Sequence, residues 1–188
     1  TRDLDKLVTK TVLGNINFKT VLELGCGTGK NTEWLLDHAD KILAIDFSER
    51  MLALAKKKIQ SPKVQFEKAD ITRTWNWAPA KFDLICFNLI LEHIEDLNFI
   101  FEQAEARLNP GGFIFISELH PFKQYKGSKA RFDSNTGVTE LETYTHHISE
   151  FLSAAKSVKL QLVQLDEWFD KVENTPPRIL SLLFRRPL

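Results

Sequence analysis

The sequence predicts a doubly wound α/β fold, a Rossmann-like three-layer sandwich, and three observations carry that prediction. Short apolar runs alternate with helix-patterned segments along most of the chain. A glycine-rich turn, "GCGTG" at 25–29, follows the first of those runs. The run "KFDLICFNLI" at 81–90 is almost without polar interruption. Alternating strand and helix patterns give a parallel sheet with helices on both faces, and a strand covered on both faces reads as a continuous apolar run.

Residues 4–13 read as a helix, "TVLELG" (20–25) as the first strand and residues 31–38 as the helix after it. "KILAID" (41–46) is the second strand. Ser48 then caps a helix whose apolar face includes Met51, Leu52, Ala55 and Ile59, and which Pro62 ends. "KVQFEKAD" (63–70) alternates as a third strand, and residues 81–90 form the fourth. Asp96 caps a helix running to Leu108, with Leu97, Ile100, Phe101, Ala104 and Leu108 at helical spacing. Asn109, Pro110, Gly111 and Gly112 mark a turn before the fifth strand, "GFIFISE" (112–118). A helix at 149–157 and strands at 160–169 and 179–184 complete the order. No repeat or linker interrupts it, so residues 1–188 read as a single domain with a long insertion at about 119–147.

Composition narrows the function. Lysine plus arginine and aspartate plus glutamate each total 25, so the formal net charge is zero. That argues against a nucleic-acid binder, which works by neutralising phosphates. Two cysteines without metal-ligand spacing, and no apolar run long enough for a bilayer, point to a reducing, cytoplasmic setting with no metal site and no membrane. The chain starts at Thr1, about twenty residues before the glycine motif, which leads to the expectation that further residues precede it.

Gly25 and Gly27 allow backbone angles closed to other residues and let a ligand approach the main chain. Gly29 leads into a helix whose free N–H groups favour an anionic group, a pyrophosphate or equally a carboxylate. Cys26, between the glycines, reads as a small residue that fits there, since no base is paired with it. Asp46 ends the second strand about twenty residues on, where a carboxylate accepts hydrogen bonds from ribose hydroxyls. Asp70 and Ile71 close the third strand, an acid beside a backbone amide suited to an adenine edge. Asn88 and Leu89 end the fourth strand near the same crevice. Trp75 and Trp77 either shelter the adenine side or cover the edge of the sheet. His93 reads either as a pocket residue or as a capping one.

These motifs, "VLELGCGTG", Asp46, "KAD" to Ile71, "FDLICFNLILEHIED" and "LNPGGFIFISE", resemble in order and spacing those of class I S-adenosylmethionine-dependent methyltransferases, in particular the small bacterial type 11 and type 12 groups. The resemblance covers residues 21–118 and is looser beyond. It implies a seven-stranded, mostly parallel sheet with an antiparallel last strand at 179–184. It also implies that Gly25, Gly27 and Gly29 surround the methionine part of S-adenosylmethionine, with Asn88 and Leu89 beside it. Asp46 would bind the ribose, Phe47 and Met51 would pack at the adenine, and Asp70 with Ile71 would recognise its edge. Glu23 would orient the glycine loop or the cofactor amine.

The function expected is methyl transfer to a small-molecule acceptor, at an O, N or C atom, with release of S-adenosylhomocysteine and no metal. The protein would be a monomer or homodimer. The alternatives are a protein that binds S-adenosylmethionine without transfer and, less well matched to G-x-G-x-G spacing, an NAD-dependent oxidoreductase. The insertion at 119–147 is the candidate substrate side, with a β-hairpin from "KARF" and "VTELETY". His120, His147 and His146 are the candidate proton acceptors, each alternatively a histidine that packs or caps a loop, and Tyr125 and Tyr144 supply aromatic walls. Lys126, Lys129 and Arg131 read as an exposed basic loop, or as a recognition site for an acidic acceptor.

Overall fold

The computed structural model describes residues 1–78, 80–125, 131–134, 137–140, 143–170 and 175–188. The chain runs α1 (Arg2–Leu13), β1 (Thr20–Leu24), α2 (Thr32–Leu36), β2 (Lys41–Asp46), α3 (Glu49–Lys58), β3 (Val64–Lys68) and β4 (Phe82–Asn88). After a single 3-10 turn at Leu91–His93 come α4 (Leu97–Ala106), β5 (Leu108–Leu119) and α5 (Pro121–Tyr125). The remainder is β6 (Arg131–Ser134), β7 (Gly137–Glu140), α6 (Ile148–Ser157), β8 (Gln161–Trp168) and β9 (Ile179–Arg185).

Seven strands form one sheet in the order β3-β2-β1-β4-β5-β9-β8. The first five pair in parallel, and β9 runs antiparallel to both β5 and β8. The seven-stranded sheet with an antiparallel last strand is therefore as the resemblance implied. Strand order reverses between β1 and β4, and ligands of such sheets bind beyond the carboxyl ends of the strands at that point.

Two apolar layers hold the helices to the sheet. Leu22, Leu24, Ile85, Ile114 and Ile116 meet α4 and α6 through Phe101, Phe151 and Ala154. On the opposite face Val21, Ile42, Leu84 and Phe115 meet α1, α2 and α3 through Val8, Val12, Leu35 and Leu52. Neighbouring strand residues thus point to opposite layers, which is why β4 shows no alternation of apolar and polar residues. Burying each large apolar side chain of this kind contributes about 1.5–3 kcal/mol. Trp75 is fully buried, and its indole N–H donates to the Ile71 carbonyl at 2.8 Å, so it is a core residue that packs against Phe87 of β4.

The predicted caps form. Ser48 Oγ accepts from Met51 N at 3.3 Å and Asp96 Oδ1 from Phe99 N at 3.0 Å. The helix expected at 31–38 is shorter, Thr32–Leu36. The turn expected at 109–112 lies inside β5, because that stretch stays paired. Phe82 N donates to Arg107 O, Gly111 N to Arg186 O and Arg186 N to Gly112 O, at 2.8, 3.1 and 2.9 Å. Gly111 absorbs the irregularity with φ of 75°.

Of the predicted insertion, β6 and β7 form an antiparallel pair, Arg131 opposite Glu140, that overlaps the expected "KARF" and "VTELETY" strands. Lys126 and Lys129 lie outside the described residues. No helix of the described residues is long and apolar enough to cross a membrane.

Candidate cofactor site

Two cavities lie at the carboxyl ends of β1, β2 and β4, and they share Gly25 and Asp46. The first, about 260 Å³, is bordered by Glu23, Gly25, Cys26, Gly27, Met51, Asn88 and Leu89, and by Arg2 and Asp5 of α1. The second, about 390 Å³, is bordered by Phe47, Asp70, Ile71, Ile90 and His93. A larger depression of about 700 Å³ lies at the opposite ends of the strands, beside Asp83 and Gly112. Asp83 there is occupied with Lys19 N, Thr20 N, the Thr20 hydroxyl and the Asn109 amide, so it serves the fold. Chemistry is concentrated at the other end.

The glycine turn is built by backbone conformation. Gly25 has φ of 71°, and a Cβ there would come 2.6 Å from Ile90 Cδ1. Gly27 has φ of 55°, but a Cβ there would meet nothing within 4 Å. Gly25 is thus required by packing and Gly27 by conformation, and Gly27 leaves its main chain open to a ligand. Asp46 binds this turn directly. Its Oδ2 accepts from Gly27 N and its Oδ1 from Ser48 N, each at 2.8 Å. One carboxylate thereby ties the β1–α2 turn to the start of α3, and each oxygen keeps a lone pair for a further donor.

Glu23 is 2% exposed and its Oε2 accepts from Thr32 Oγ1 at 2.6 Å. Burial pushes its carboxyl up to about 8, outweighing the Thr32 bond, with Asp5 and Asp46 adding to the rise. Burial also pushes the Cys26 thiol far up, so it offers no thiolate and fits the turn as a small residue. Asp70 behaves oppositely. The Thr72 hydroxyl donates to its Oδ1 at 2.6 Å and lowers its pKa, so Asp70 is held as an acceptor at the second cavity.

The structure brings Glu23, Gly25, Cys26, Gly27, Asp46, Met51, Asn88 and Leu89 to the first cavity, and Phe47, Asp70, Ile71 and His93 to the second. Gly29, with φ of 79°, packs beneath the turn, where a Cβ would lie 2.7 Å from Ile59 Cδ1. Met51 borders the glycine-turn cavity and Phe47, 70% exposed, the adjoining Asp70 cavity.

His120, His146 and His147 border neither cavity among the described residues. His120 has both ring nitrogens engaged: Nδ1 accepts from Phe122 N at 3.1 Å, so Nε2 carries the proton donated to Glu167 Oε1 at 2.8 Å. His146 Nε2 donates to the Ile94 carbonyl at 2.7 Å. His147 precedes α6, with Nδ1 2.5 Å from Tyr125 Oη.

Two carboxyl groups escaped the sequence reading. Asp5 of α1 is buried at the first cavity, hydrogen-bonded to Asn31, Asn88 and Ser117. Its signal is spacing, for Asp5, Val8, Thr9 and Val12 share one helix face, and all four are buried. Glu118, at the end of β5, is 3% exposed. Its Oε1 accepts from Ile90 N and Leu91 N, both at 2.8 Å, and Leu89 N donates to Ser117 O at 2.9 Å. The end of β5 thus holds three successive N–H groups of the segment flooring both cavities, and it stabilises Leu89 at φ of 53°.

The residues present fit a nucleoside carrying an amino acid. Gly27 leaves room beside the main chain, Asp46 presents an acceptor to both cavities and Asp70 one to the second, and the amide oxygens of Asn31 and Asn88 are buried without a partner. The described residues include no group of three His, Cys, Asp or Glu able to hold a metal.

The chain superposes on the S-adenosylmethionine-dependent methyltransferase of Mesorhizobium loti with a TM-score of 0.81 at 22% identity, covering 97% of this chain and 98% of that one. It superposes on the N-methyltransferase NodS of Bradyrhizobium japonicum, in complex with S-adenosyl-L-homocysteine, with a TM-score of 0.75 at 18% identity, covering 100% and 87%. Both show a shared fold. In sequence it is 29% identical over 104 residues to a ubiquinone biosynthesis O-methyltransferase of Dechloromonas aromatica, covering 54% of this chain and 45% of that protein. It is 37% identical over 100 residues to a trans-aconitate 2-methyltransferase of Variovorax paradoxus, covering 51% and 37%. The chain therefore spans about half the length of these curated relatives, or less. The family model described as "Methyltransferase domain" matches residues 22–116, from inside β1 to inside β5. That span holds the glycine turn, Asp46, Asp70 with Ile71 and the end of β4, and on it the chain belongs to the methyltransferase-domain family.

Proposed function

We propose that the protein transfers a methyl group from S-adenosylmethionine to a small-molecule acceptor, releasing S-adenosylhomocysteine. The observation that carries this reading is the sharing of Gly25 and Asp46 by two cavities, one at the glycine turn and one at Asp70 and Ile71. Together they suit a ligand with an amino-acid end, a ribose and a base. The family match and the names of the curated relatives support the same reaction class.

The cofactor, when bound, supplies an electrophilic methyl group on a sulfonium. The chain's residues bind, orient and exclude water. Asp46 takes the ribose hydroxyls while fixing the glycine turn, Asp70 and the Ile71 amide take the base edge, and Ile90 walls the space between them. Leu89 and Asn88 face the reactive end. Orientation of this kind is worth on the order of 7–11 kcal/mol of barrier, so the reaction requires few chemically active side chains. Zero net charge supports a small acceptor over nucleic acid, and two buried free thiols suit a reducing, cytoplasmic setting.

The test is transfer of label from methyl-labelled S-adenosylmethionine to a panel of small phenols, carboxylic acids and amines. Labelled product with stoichiometric S-adenosylhomocysteine is expected with one acceptor class. Tight binding of S-adenosylmethionine without transfer to any class would favour a binding protein instead.

A further inference from the structure

Asp5 is 4% exposed, and its three hydrogen-bond donors in the structure are neutral groups from three different parts of the fold. Its Oδ1 accepts from Asn88 Nδ2 at the end of β4 and from Ser117 Oγ near the end of β5, each at 2.7 Å. Its Oδ2 accepts from Asn31 Nδ2, just before α2, at 3.0 Å. Asn88 Nδ2 also donates to Thr9 Oγ1 at 2.9 Å, one turn further along α1.

This arrangement determines how the two amides face. An asparagine whose NH2 is committed to a carboxylate turns its carbonyl oxygen away from it. In both Asn31 and Asn88 that oxygen is buried and has no partner. Buried acceptors are almost always paired, so two unpaired ones at a single cavity mark the place of a donor. Asp5, Asn31, Asn88 and Glu23 all border the glycine-turn cavity, as do the cationic side chains Arg2 and Lys30. Acceptors and cations on one cavity match a zwitterion: an ammonium has donors only, and a carboxylate acceptors only.

We infer that Asp5 is the residue through which α1 reads the amino-acid end of the cofactor, by turning the Asn31 and Asn88 amides so that their oxygens receive its ammonium group. The inference rests on the proposed S-adenosylmethionine site. Asp5 acts through the two amides, as a positioning and specificity-determining residue.

The test compares two ligands that differ only in that end. S-adenosylhomocysteine and 5′-methylthioadenosine are titrated calorimetrically into the wild type and into Asp5→Asn, whose folding is checked by circular dichroism. Asp5→Asn is expected to weaken S-adenosylhomocysteine about tenfold, the scale of losing one or two such bonds, and 5′-methylthioadenosine by less than about twofold. Equal losses for both ligands would overturn the inference, since a helix that merely loosens affects both. An unchanged S-adenosylhomocysteine affinity would overturn it as well. Asn31→Ala, which removes one amide and leaves the other contacts of α1, keeps the test readable if Asp5→Asn fails to fold. The same selective loss, about fivefold, is expected there, and equal losses again count against it. A wild type that binds neither ligand would overturn the cofactor reading, and this inference with it.

Discussion

Asp46→Ala is expected to weaken S-adenosylhomocysteine binding by about 100-fold or more, for two reasons that act together. The substitution removes the acceptor proposed for the ribose hydroxyls. It also removes the partner of Gly27 N and Ser48 N, each held at 2.8 Å, so the turn and the start of α3 lose their common tether. A hydrogen bond to a charged group contributes about 1.5–3 kcal/mol, and 1.4 kcal/mol is about tenfold in affinity. Asp46→Asn keeps one acceptor oxygen and is expected to lose about tenfold. Calorimetric titration of the two variants checks both values. An Asp46→Ala affinity within about twofold of wild type would remove Asp46 from the site.

Glu118→Gln is expected to become progressively more stable relative to wild type as the pH rises from 5 to 8. Burial pushes the Glu118 carboxyl up from 4.5 to about 8, outweighing the bonds from Leu91 N and Ile90 N, and Glu92 adds to the rise. The unfolded chain releases this proton near pH 4.5, whereas the native protein holds it until about pH 8. The native state binds more protons across that window, so wild-type stability falls through it and levels off above. At about 1.36 kcal/mol per unit the loss is on the order of 4 kcal/mol. Glutamine keeps an oxygen for Ile90 N and Leu91 N and has no proton to lose. Denaturant unfolding of both proteins at pH 5 and pH 8 checks this. A stability difference unchanged between the two would show that Glu118 ionises normally. Glu23, raised to about 8 for the same reason, makes Glu23→Gln a parallel case.

The sheet was legible because its strands announce themselves by composition. "KILAID" and "KFDLICFNLI" are too apolar for exposed segments, and Ser48 and Asp96 mark helix starts in their side-chain chemistry. The glycine turn, Asp46 and Asp70 were legible for a related reason, since each ends or follows a strand on the ligand side of a parallel sheet. What stayed hidden depends on contacts distant in sequence. Asp5 meets Asn88 and Ser117 across 83 and 112 residues, and only its position on the Val8–Val12 face hints at burial. Glu118 follows Ile114 and Ile116 on one face of β5, yet the N–H groups it serves belong to the segment after β4. The sequence around Gly111 has the composition of a break, and the pairing that keeps it in β5 comes from Arg186, at the far end of the chain. The histidines of the insertion stand out by residue type alone, and none of them borders either cavity among the described residues.

The cavities around Gly25 and Asp46 are expected to take a nucleoside joined to an amino acid and to reject a dinucleotide. Isothermal titration of S-adenosylhomocysteine and of NAD into the same preparation tests it most directly. Saturable binding of S-adenosylhomocysteine in the micromolar range, about −8 kcal/mol, with no heat from NAD, is the expected result. Tight binding of NAD with none of S-adenosylhomocysteine would contradict it.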